Sequence, residues 1–194
     1  MYTTKISLLQ KLAAGDEIGW EEFDRTYRPL IASVAGQCGI APGDVDDIVQ
    51  QTLLAVFNHG KFAYSPENNG KFRSWLGGIV RHKVSDFFRR LPPELPETPE
   101  PVDPQFERIF MAEYRKHLLD LAIADMRSNV LPEAYEAFQL CILQGLSDKE
   151  AAARLGSRPN TVTIRKRRCL EQLRDTINRL NASDGEVDLE LPHS

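Results

Sequence analysis

Apolar residues recur at intervals of three and four along most of the chain, which is the pattern of amphipathic helices. After the breaker Pro42-Gly43, the first clear stripe consists of Val45, Ile48, Val49, Leu53, Val56 and Phe57. The next stripe begins near Lys71 and consists of Phe72, Trp75, Leu76, Ile79, Val80, Val84, Phe87 and Phe88. β-Branched residues rarely alternate with polar ones, so no strand is predicted. The pattern predicts an all-α protein.

The C-terminal half contains a second type of helical pattern, built from shorter pieces. Pro132 starts a helix over residues 133–143, which stops at Gly145. Ser147 and Glu150 then have the S-x-x-E spacing of a capping box, in which each residue satisfies a backbone N–H group of the other. A short helix that begins at this box is therefore predicted.

The short helix contains Ala151, Ala152 and Leu155 and ends at Gly156. After a turn at Pro159, a long helix is predicted over 160–180. Its packing residues are expected to be Val162, Cys169, Leu173, Ile177 and Leu180. A short helix, a tight turn containing glycine and a longer helix predict a helix-turn-helix, whose second helix enters the major groove of DNA.

Proline and charge divide the chain into segments. Residues 91–107 hold six prolines and five acids with no Lys or Arg, which favours an extended, solvated tether. We therefore expect two small helical domains, over 1–90 and 116–180, joined by a flexible Pro/acid-rich linker over 91–115. An acidic tail over 181–194 follows.

Composition excludes several classes of protein. The 194 residues contain no apolar run long enough to span a membrane, and the N-terminus does not resemble a signal peptide. The three cysteines are odd in number and widely spaced, and the four histidines are isolated. These features predict a cytoplasmic protein without membrane insertion, metal site, cofactor or catalytic residues. Phosphate-binding, HExxH and GxSxG motifs are also missing from the sequence, so an enzyme is not expected.

The net charge of −4 hides two basic segments. Residues 71–90 carry +5 with aromatic residues set among the cations, a combination that suits single-stranded nucleic acid. Residues 154–179 carry +6, and this segment includes the predicted recognition helix. The tether at 91–107 contributes −5. The placement of charge therefore indicates two DNA-binding surfaces on a chain whose total charge is acidic.

Three runs of the first domain, 44–57, 72–76 and 86–90, carry a family resemblance. They resemble region 2 of bacterial RNA polymerase sigma factors of the extracytoplasmic-function (ECF, group 4) type. Residues 8–14 and 20–31 are similar to the first helices of that family. Residues 145–174 resemble the region 4 helix-turn-helix, and both regions occur in the family's order.

The resemblance implies that the chain binds core RNA polymerase and promoter DNA. Region 2 would dock on the β′ clamp helices through Asp46, Asp47, Gln50 and Gln51. The loop 58–70 and the helix after it would capture the −10 strand through Lys71, Arg73, Trp75, Arg81, His82, Lys83, Arg89 and Arg90. Region 4 would bind the β flap and read the −35 duplex through Arg158, Asn160, Thr161, Thr163, Arg165, Lys166, Arg167 and Arg168.

The sequence departs from the family pattern at several positions. An acid is common where Gln51 stands, an aromatic near Leu53, and Asn in place of His82. Apolar residues are usual at the positions of Ala151, Ser157 and Lys166. The main alternative is a helix-turn-helix regulator that binds duplex DNA without polymerase, but it does not account for the N-terminal resemblance. Whether an anti-sigma factor binds the chain is left open.

Overall fold

The computed structural model describes residues 8, 11–12, 14–60, 71–91 and 103–182. Within these residues all regular structure is helical, so the prediction of an all-α fold is confirmed. None of the helices in these ranges has the length and apolar character needed to cross a membrane. The elements are α1 Glu17–Gln37, α2 Pro42–Gly60, α3 Phe72–Arg89, α4 Asp103–Asn129, α5 Pro132–Phe138 with a π-helical continuation Gln139–Leu143, α6 Asp148–Arg154 and α7 Pro159–Ala182.

The described residues form two compact units, an N-terminal unit that extends to His117 and a C-terminal unit over Leu118–Ala182. In the N-terminal unit, α1, α2 and α3 pack around an aromatic core. Tyr27 lies at its centre, with its ring 4.7 Å from Phe23 and 5.2 Å from Phe72. The aliphatic part of this core includes Leu30, Ile31, Val34, Ile48, Val49, Val56, Leu76, Val80 and Val84.

The structure differs from the flexible linker expected over residues 91–115, because α4 begins at Asp103. Phe106, Phe110 and Tyr114 are buried in the N-terminal unit, with neighbouring rings 6.0 and 5.8 Å apart and nearly parallel. Aromatic residues at a spacing of four form one helical face, and Pro104 in the first turn removes no intrahelical hydrogen bond. The proline-rich composition concealed this helix. Residues 92–102 of the expected linker lie outside the described ranges.

The C-terminal unit contains the predicted helix-turn-helix. Ser147 N donates to Glu150 Oε2 at 2.9 Å and Glu150 N donates to Ser147 Oγ at 3.3 Å, so the capping box is confirmed. Ser147 Oγ also donates to Glu150 Oε2 at 2.6 Å, and this bond together with that from Ser147 N lowers the pKa of Glu150. Gly145 and Gly156 have φ values of +73° and +57°, which explains why glycine ends the helices on either side of α6.

A buried polar contact fixes the far end of α7 in the same unit. Asp125 of α4 is 5% exposed and accepts hydrogen bonds from Thr176 Oγ1 and Arg179 Nη2, both at 2.9 Å. Asn129 Nδ2 donates to the same carboxylate at 3.2 Å. A buried carboxylate is stable when its oxygens are hydrogen-bonded, so this contact sets the packing of α7 against α4.

Candidate nucleic-acid and protein interfaces

The rotation of α7 is fixed by its buried face. Val162, Cys169, Leu173 and Ile177 are at most 4% exposed, and Val162 packs with alanines of α5 and α6. These four residues were all predicted to pack, and the structure confirms them. From Arg154 to Leu170 the chain carries six cations and no acid. The basic residues of α7 are therefore limited to its two flanks and its outward face.

One flank of α7 is tied to the first helix of the helix-turn-helix through Asp148. Lys166 Nζ donates to Asp148 Oδ1 at 2.6 Å, and Thr163 Oγ1 donates to Asp148 Oδ2 at 2.5 Å. The hydrogen bonds from Lys166 and Thr163 hold the pKa of Asp148 below its ordinary value. Cys141 Sγ also donates to Asp148, at 3.5 Å, and burial raises the pKa of that thiol. Lys166 stands at a position where the family usually has an apolar residue, and it is paired here with Asp148 of the same unit.

The other flank of α7 faces the turn between α4 and α5. Arg165 and Arg168 line a cavity of about 430 Å³ there, together with Asn129, Val130 and Leu131. Glu171, Gln172 and Asp175 of α7 line the same cavity. Acids and an amide thus share this space with the two arginines.

Four side chains on the N-terminal part of α7 and the turn before it are exposed on the outward face: Arg158, Asn160, Ile164 and Arg167. Thr161, the remaining member of the predicted DNA-contact set, is half-buried. Arg167 Nε lies 3.4 Å from Glu171 Oε1, and both side chains remain mostly exposed. Ile164 was not among the sequence-predicted contacts. The only feature of the sequence that could have indicated the exposure of Ile164 was the presence of a large apolar residue outside the packing stripe.

The predicted −10 contacts all lie on α3 or at its ends. Lys71, Arg81, His82, Arg89 and Arg90 are exposed, whereas Arg73, Trp75 and Lys83 are half-buried. Arg89 pairs with Asp86, and this hydrogen bond lowers the pKa of that carboxyl. The Trp75 ring lies 5.6 Å from the buried Phe72 ring, so one face of the indole is used in packing.

The structure separates these α3 residues onto two flanks. Arg73 and Arg81 line a cavity of about 130 Å³ with Gly77, Gly78 and Glu107 of α4. Trp75 and His82 do not line that cavity, and a spacing of seven residues places them together on another face. The sequence had not distinguished these two sets. The loop partner of this predicted site, residues 61–70, lies outside the described ranges.

The predicted protein-docking residues lie together on α2. Asp46, Asp47 and Gln50 are exposed, and the half-buried Gln51 donates through Nε2 to Asp47 Oδ2 at 3.1 Å. Spacings of three and four residues place these side chains on adjacent turns of one face. The structure therefore brings all four together, as expected from their positions in one helix.

A surface groove next to this face was not predicted. It has a volume of about 610 Å³, and its apolar lining consists of Trp20 of α1 with Leu53, Leu54 and Phe57 of α2. Leu54 is 60% exposed and Phe57 is 44% exposed, although Phe57 was assigned to the core-facing stripe. Glu17, Glu21, Asp24 and Gln50 line the same groove. An exposed apolar surface with an acidic border is typical of a protein-interaction site.

The Trp20 and Phe57 rings are 4.8 Å apart and form the inner wall of the groove. A contact between α1 and α2 is needed to expose this aromatic pair, which explains why neither helix alone indicated it. In the described residues there is no group of three or more His, Cys, Asp or Glu side chains that could hold a metal ion. Among the described residues, the candidate surfaces are one acidic and apolar face and two basic ones.

Comparison with known proteins covers both units. Residues 23–91 match the family model of sigma-70 region 2. The ECF RNA polymerase sigma factor SigE of Mycolicibacterium smegmatis is 30% identical over 174 residues, which are 84% of this chain and 64% of that relative. The match thus spans a little under two thirds of the length of SigE. The ECF RNA polymerase sigma factor SigD of Mycobacterium tuberculosis is 27% identical over 183 residues, or 88% of this chain and 82% of the relative.

A solved structure, CnrH in complex with the cytosolic domain of CnrY, also aligns with the chain. The alignment covers 89% of this chain and 96% of that chain, at 23% identity and a TM-score of 0.39.

Proposed function

Because this chain belongs to the sigma-70 family of RNA polymerase sigma factors, in its ECF branch, we propose that it binds core polymerase and directs it to particular promoters. The observation that carries the proposal is the combination of a region 2 match over 23–91 and a separate unit with a basic helix-turn-helix. A regulator that acts on duplex DNA alone does not require a sigma region 2. The proposed role consists of binding core polymerase and capturing a DNA strand, and it requires no covalent chemistry by the chain.

The α2 face is the proposed docking site for the β′ clamp helices. Asp46, Asp47 and Gln50 offer charge and hydrogen-bond acceptors to solvent, and the neighbouring groove offers Leu54 and Phe57. Apolar anchors surrounded by polar groups are the arrangement that supports stable protein–protein binding. The acids around the groove favour a partner surface that combines apolar and basic side chains.

The outer face of α3 is the proposed site for the melted −10 strand. Trp75 and His82 supply flat rings on one face, and Arg81 supplies a cation on the neighbouring flank. Rings stack on unpaired bases while cations follow the phosphates. Asp86 beside Arg89 limits the positive charge at the C-terminal end of the helix.

The outward face of α7 is the proposed −35 reader. The region from Arg154 to Leu170 contains no acid, so its exposed cations attract the phosphate backbone. The N-terminal residues of a recognition helix contact base edges, and Asn160 occupies such a position at the second residue of α7. Arg158 and Arg167 are exposed on the same side and are suited to phosphate or guanine contacts.

Reconstitution tests the whole proposal. The purified full chain is mixed with core polymerase and assayed for co-elution, then for run-off transcription from a library of genomic fragments of the source organism. We expect a stable complex and initiation at a subset of fragments. Binding of the free chain to duplex DNA is measured in parallel. Duplex binding without co-elution would favour the polymerase-independent regulator, and the absence of co-elution, initiation and duplex binding would refute both roles.

A further inference from the structure

Ile164 is a large apolar side chain on the outward face of a basic helix. It is 42% exposed, whereas the apolar residues that pack α7 are at most 5% exposed. An isolated exposed isoleucine is unremarkable on an ordinary surface. On this helix the exposure of Ile164 is informative, because its neighbours are the residues that are proposed to contact DNA.

The direction of Ile164 is set by contacts on the opposite side and both flanks of α7. Val162 and Cys169 are buried against the unit, and Thr163 and Lys166 are hydrogen-bonded to Asp148. Arg165 lines the cavity on the other flank. The helix therefore cannot rotate to bury Ile164 without breaking these contacts.

The outward stripe of α7 consists of residues spaced by four and three. Asn160 lies one turn before Ile164, and Arg167 lies one turn after it. An amide, an apolar group and a guanidinium thus follow one another along the face. These groups differ in what they can recognise in the major groove: Asn pairs with adenine, an apolar side chain contacts the thymine methyl, and Arg contacts guanine or phosphate.

The charge around Ile164 indicates the class of partner. Arg158, Arg165, Arg167 and Arg168 lie within six residues of it, and no acid occurs between Glu150 and Glu171. The carboxylate of Asp148 lies on the flank and is occupied by Thr163 and Lys166. Such a surface repels basic protein segments and attracts a polyanion. In the major groove of DNA the apolar group that base edges present is the C5-methyl of thymine, so this is the group that an exposed isoleucine can desolvate.

We propose that Ile164 is a specificity-determining residue that contacts the C5-methyl group of a thymine in the −35 duplex. This inference rests on the proposed promoter-reading function. Asn160 and Arg167 contact the groups on either side, so the preferred site places a thymine between an adenine-compatible position and a guanine or phosphate contact. Loss of the methyl or of the isoleucine removes the same contact.

The test uses the full chain bound to core polymerase and a duplex selected by that complex from a random pool. Each thymine in the selected −35 duplex is replaced in turn by deoxyuridine, which lacks only the methyl. At one position we expect a loss of about three- to fivefold in affinity, the scale of one buried methyl group. Ile164→Ala should show a similar loss on the thymine duplex and no further loss on the deoxyuridine duplex.

Two control variants keep the result interpretable. Ile164→Val retains a branched apolar side chain and should keep most of the dependence on the methyl group. Arg167→Ala should weaken both duplexes equally and reduce the salt dependence, because it removes a charge and leaves the methyl contact. Melting of each variant is followed by circular dichroism, and no large change is expected because both side chains are exposed.

Three results would count against the inference. Equal affinity of Ile164→Ala and the wild type would overturn it while leaving the proposed function intact. Losses from the mutation and from deoxyuridine that multiply at every position would also overturn it, since independent effects mean separate contacts. If the wild-type complex selects no duplex at all, the proposed function fails and this inference fails with it.

Discussion

At the scale of single residues, Asp148 determines how the two helices of the helix-turn-helix are held together. It is the first residue of α6, where the helix dipole favours a carboxylate, and it accepts hydrogen bonds from both Thr163 and Lys166 of α7. Lys166 was predicted from the family resemblance to contact the −35 duplex. Its ion pair with Asp148 at 2.6 Å also gives it an internal role in positioning α7.

Asp148→Asn should destabilise the chain at neutral pH by about 1 kcal/mol, because the partly exposed ion pair with Lys166 becomes a neutral contact. Thermal melting measures this change. Lys166→Met should cost a similar amount, and the double variant should cost less than the sum of the two single variants. Strict additivity would show that the pair contributes nothing to stability.

The same carboxyl makes a pH-dependent contribution. The folded-state pKa of Asp148 is lowered by the hydrogen bonds from Lys166 and Thr163, while the unfolded value is about 3.9. Its contribution is therefore complete above the unfolded pKa and is lost as the pH falls through the folded pKa. The stability difference between the wild type and Asp148→Asn should shrink below about pH 4. A difference that stays constant down to pH 2 would contradict this origin.

At the scale of elements, the first half of α4 is the main departure from the sequence analysis. Phe110 packs so closely on α3 that a Cβ added at Gly77 would lie 3.0 Å from its ring. Ser33 Oγ of α1 also donates to Glu113 Oε2 at 2.6 Å. Residues 103–117 therefore form part of the N-terminal unit.

Gly77→Ala and Gly78→Ala form a matched pair that tests this packing. Both positions are in the interior of α3, where alanine is intrinsically better than glycine by about 1 kcal/mol. An added Cβ at Gly78 has no atom within 4 Å, so we expect that gain there. At Gly77 the Phe110 ring must shift, so the variant should be less stable than Gly78→Ala. Equal melting temperatures would mean that α4 does not pack on α3 in solution.

The groove beside α2 makes a second element-scale prediction. Leu54→Ala or Phe57→Ala should lower the affinity for core polymerase by about tenfold, the scale of a buried apolar anchor at an interface. Ile18→Ala is the matched control, because Ile18 is 69% exposed but does not line the groove. Surface binding to immobilised core measures all three. Equal losses at Ile18 and Leu54 would assign no special role to the groove.

At the scale of the whole molecule, charge placement separates the tasks of the two units. The acidic face of α2 and the basic helix α3 lie in the N-terminal unit, and the basic face of α7 lies in the C-terminal unit. A net charge of −4 therefore coexists with two surfaces suited to DNA. The effect of a mutation in one surface should therefore be independent of mutations in the other surface.

Arg81→Ala and Arg168→Ala should each slow initiation, and their free-energy effects should add to within about 0.5 kcal/mol in the double variant. The reason is that the two residues belong to different units and are expected, from the family resemblance, to contact different promoter elements. Run-off transcription over a range of salt concentrations measures both effects. Arg168→Ala should also flatten the salt dependence of −35 binding, whereas strong non-additivity would indicate one shared DNA contact.

The sequence alone determined the helices α2 and α3 and the helix-turn-helix. Apolar spacing placed α2, α3 and α7, and the capping box with two glycines placed α6, because these signals depend on neighbours within one or two turns. The shared face of Asp46, Asp47, Gln50 and Gln51 on α2 was also predictable, since positions on one helix keep their relative directions. The resemblance to ECF sigma factors rested on the same local runs.

Tertiary structure decided what depends on contacts between distant segments. It showed that Phe106, Phe110 and Tyr114 belong to the N-terminal core, that Phe57 and Leu54 remain exposed, and that Lys166 is paired with Asp148. Periodicity states which residues share a face, but not which face another helix covers. That choice is made by packing and by the pairing of polar groups, and it left Ile164 on the outside of the recognition helix.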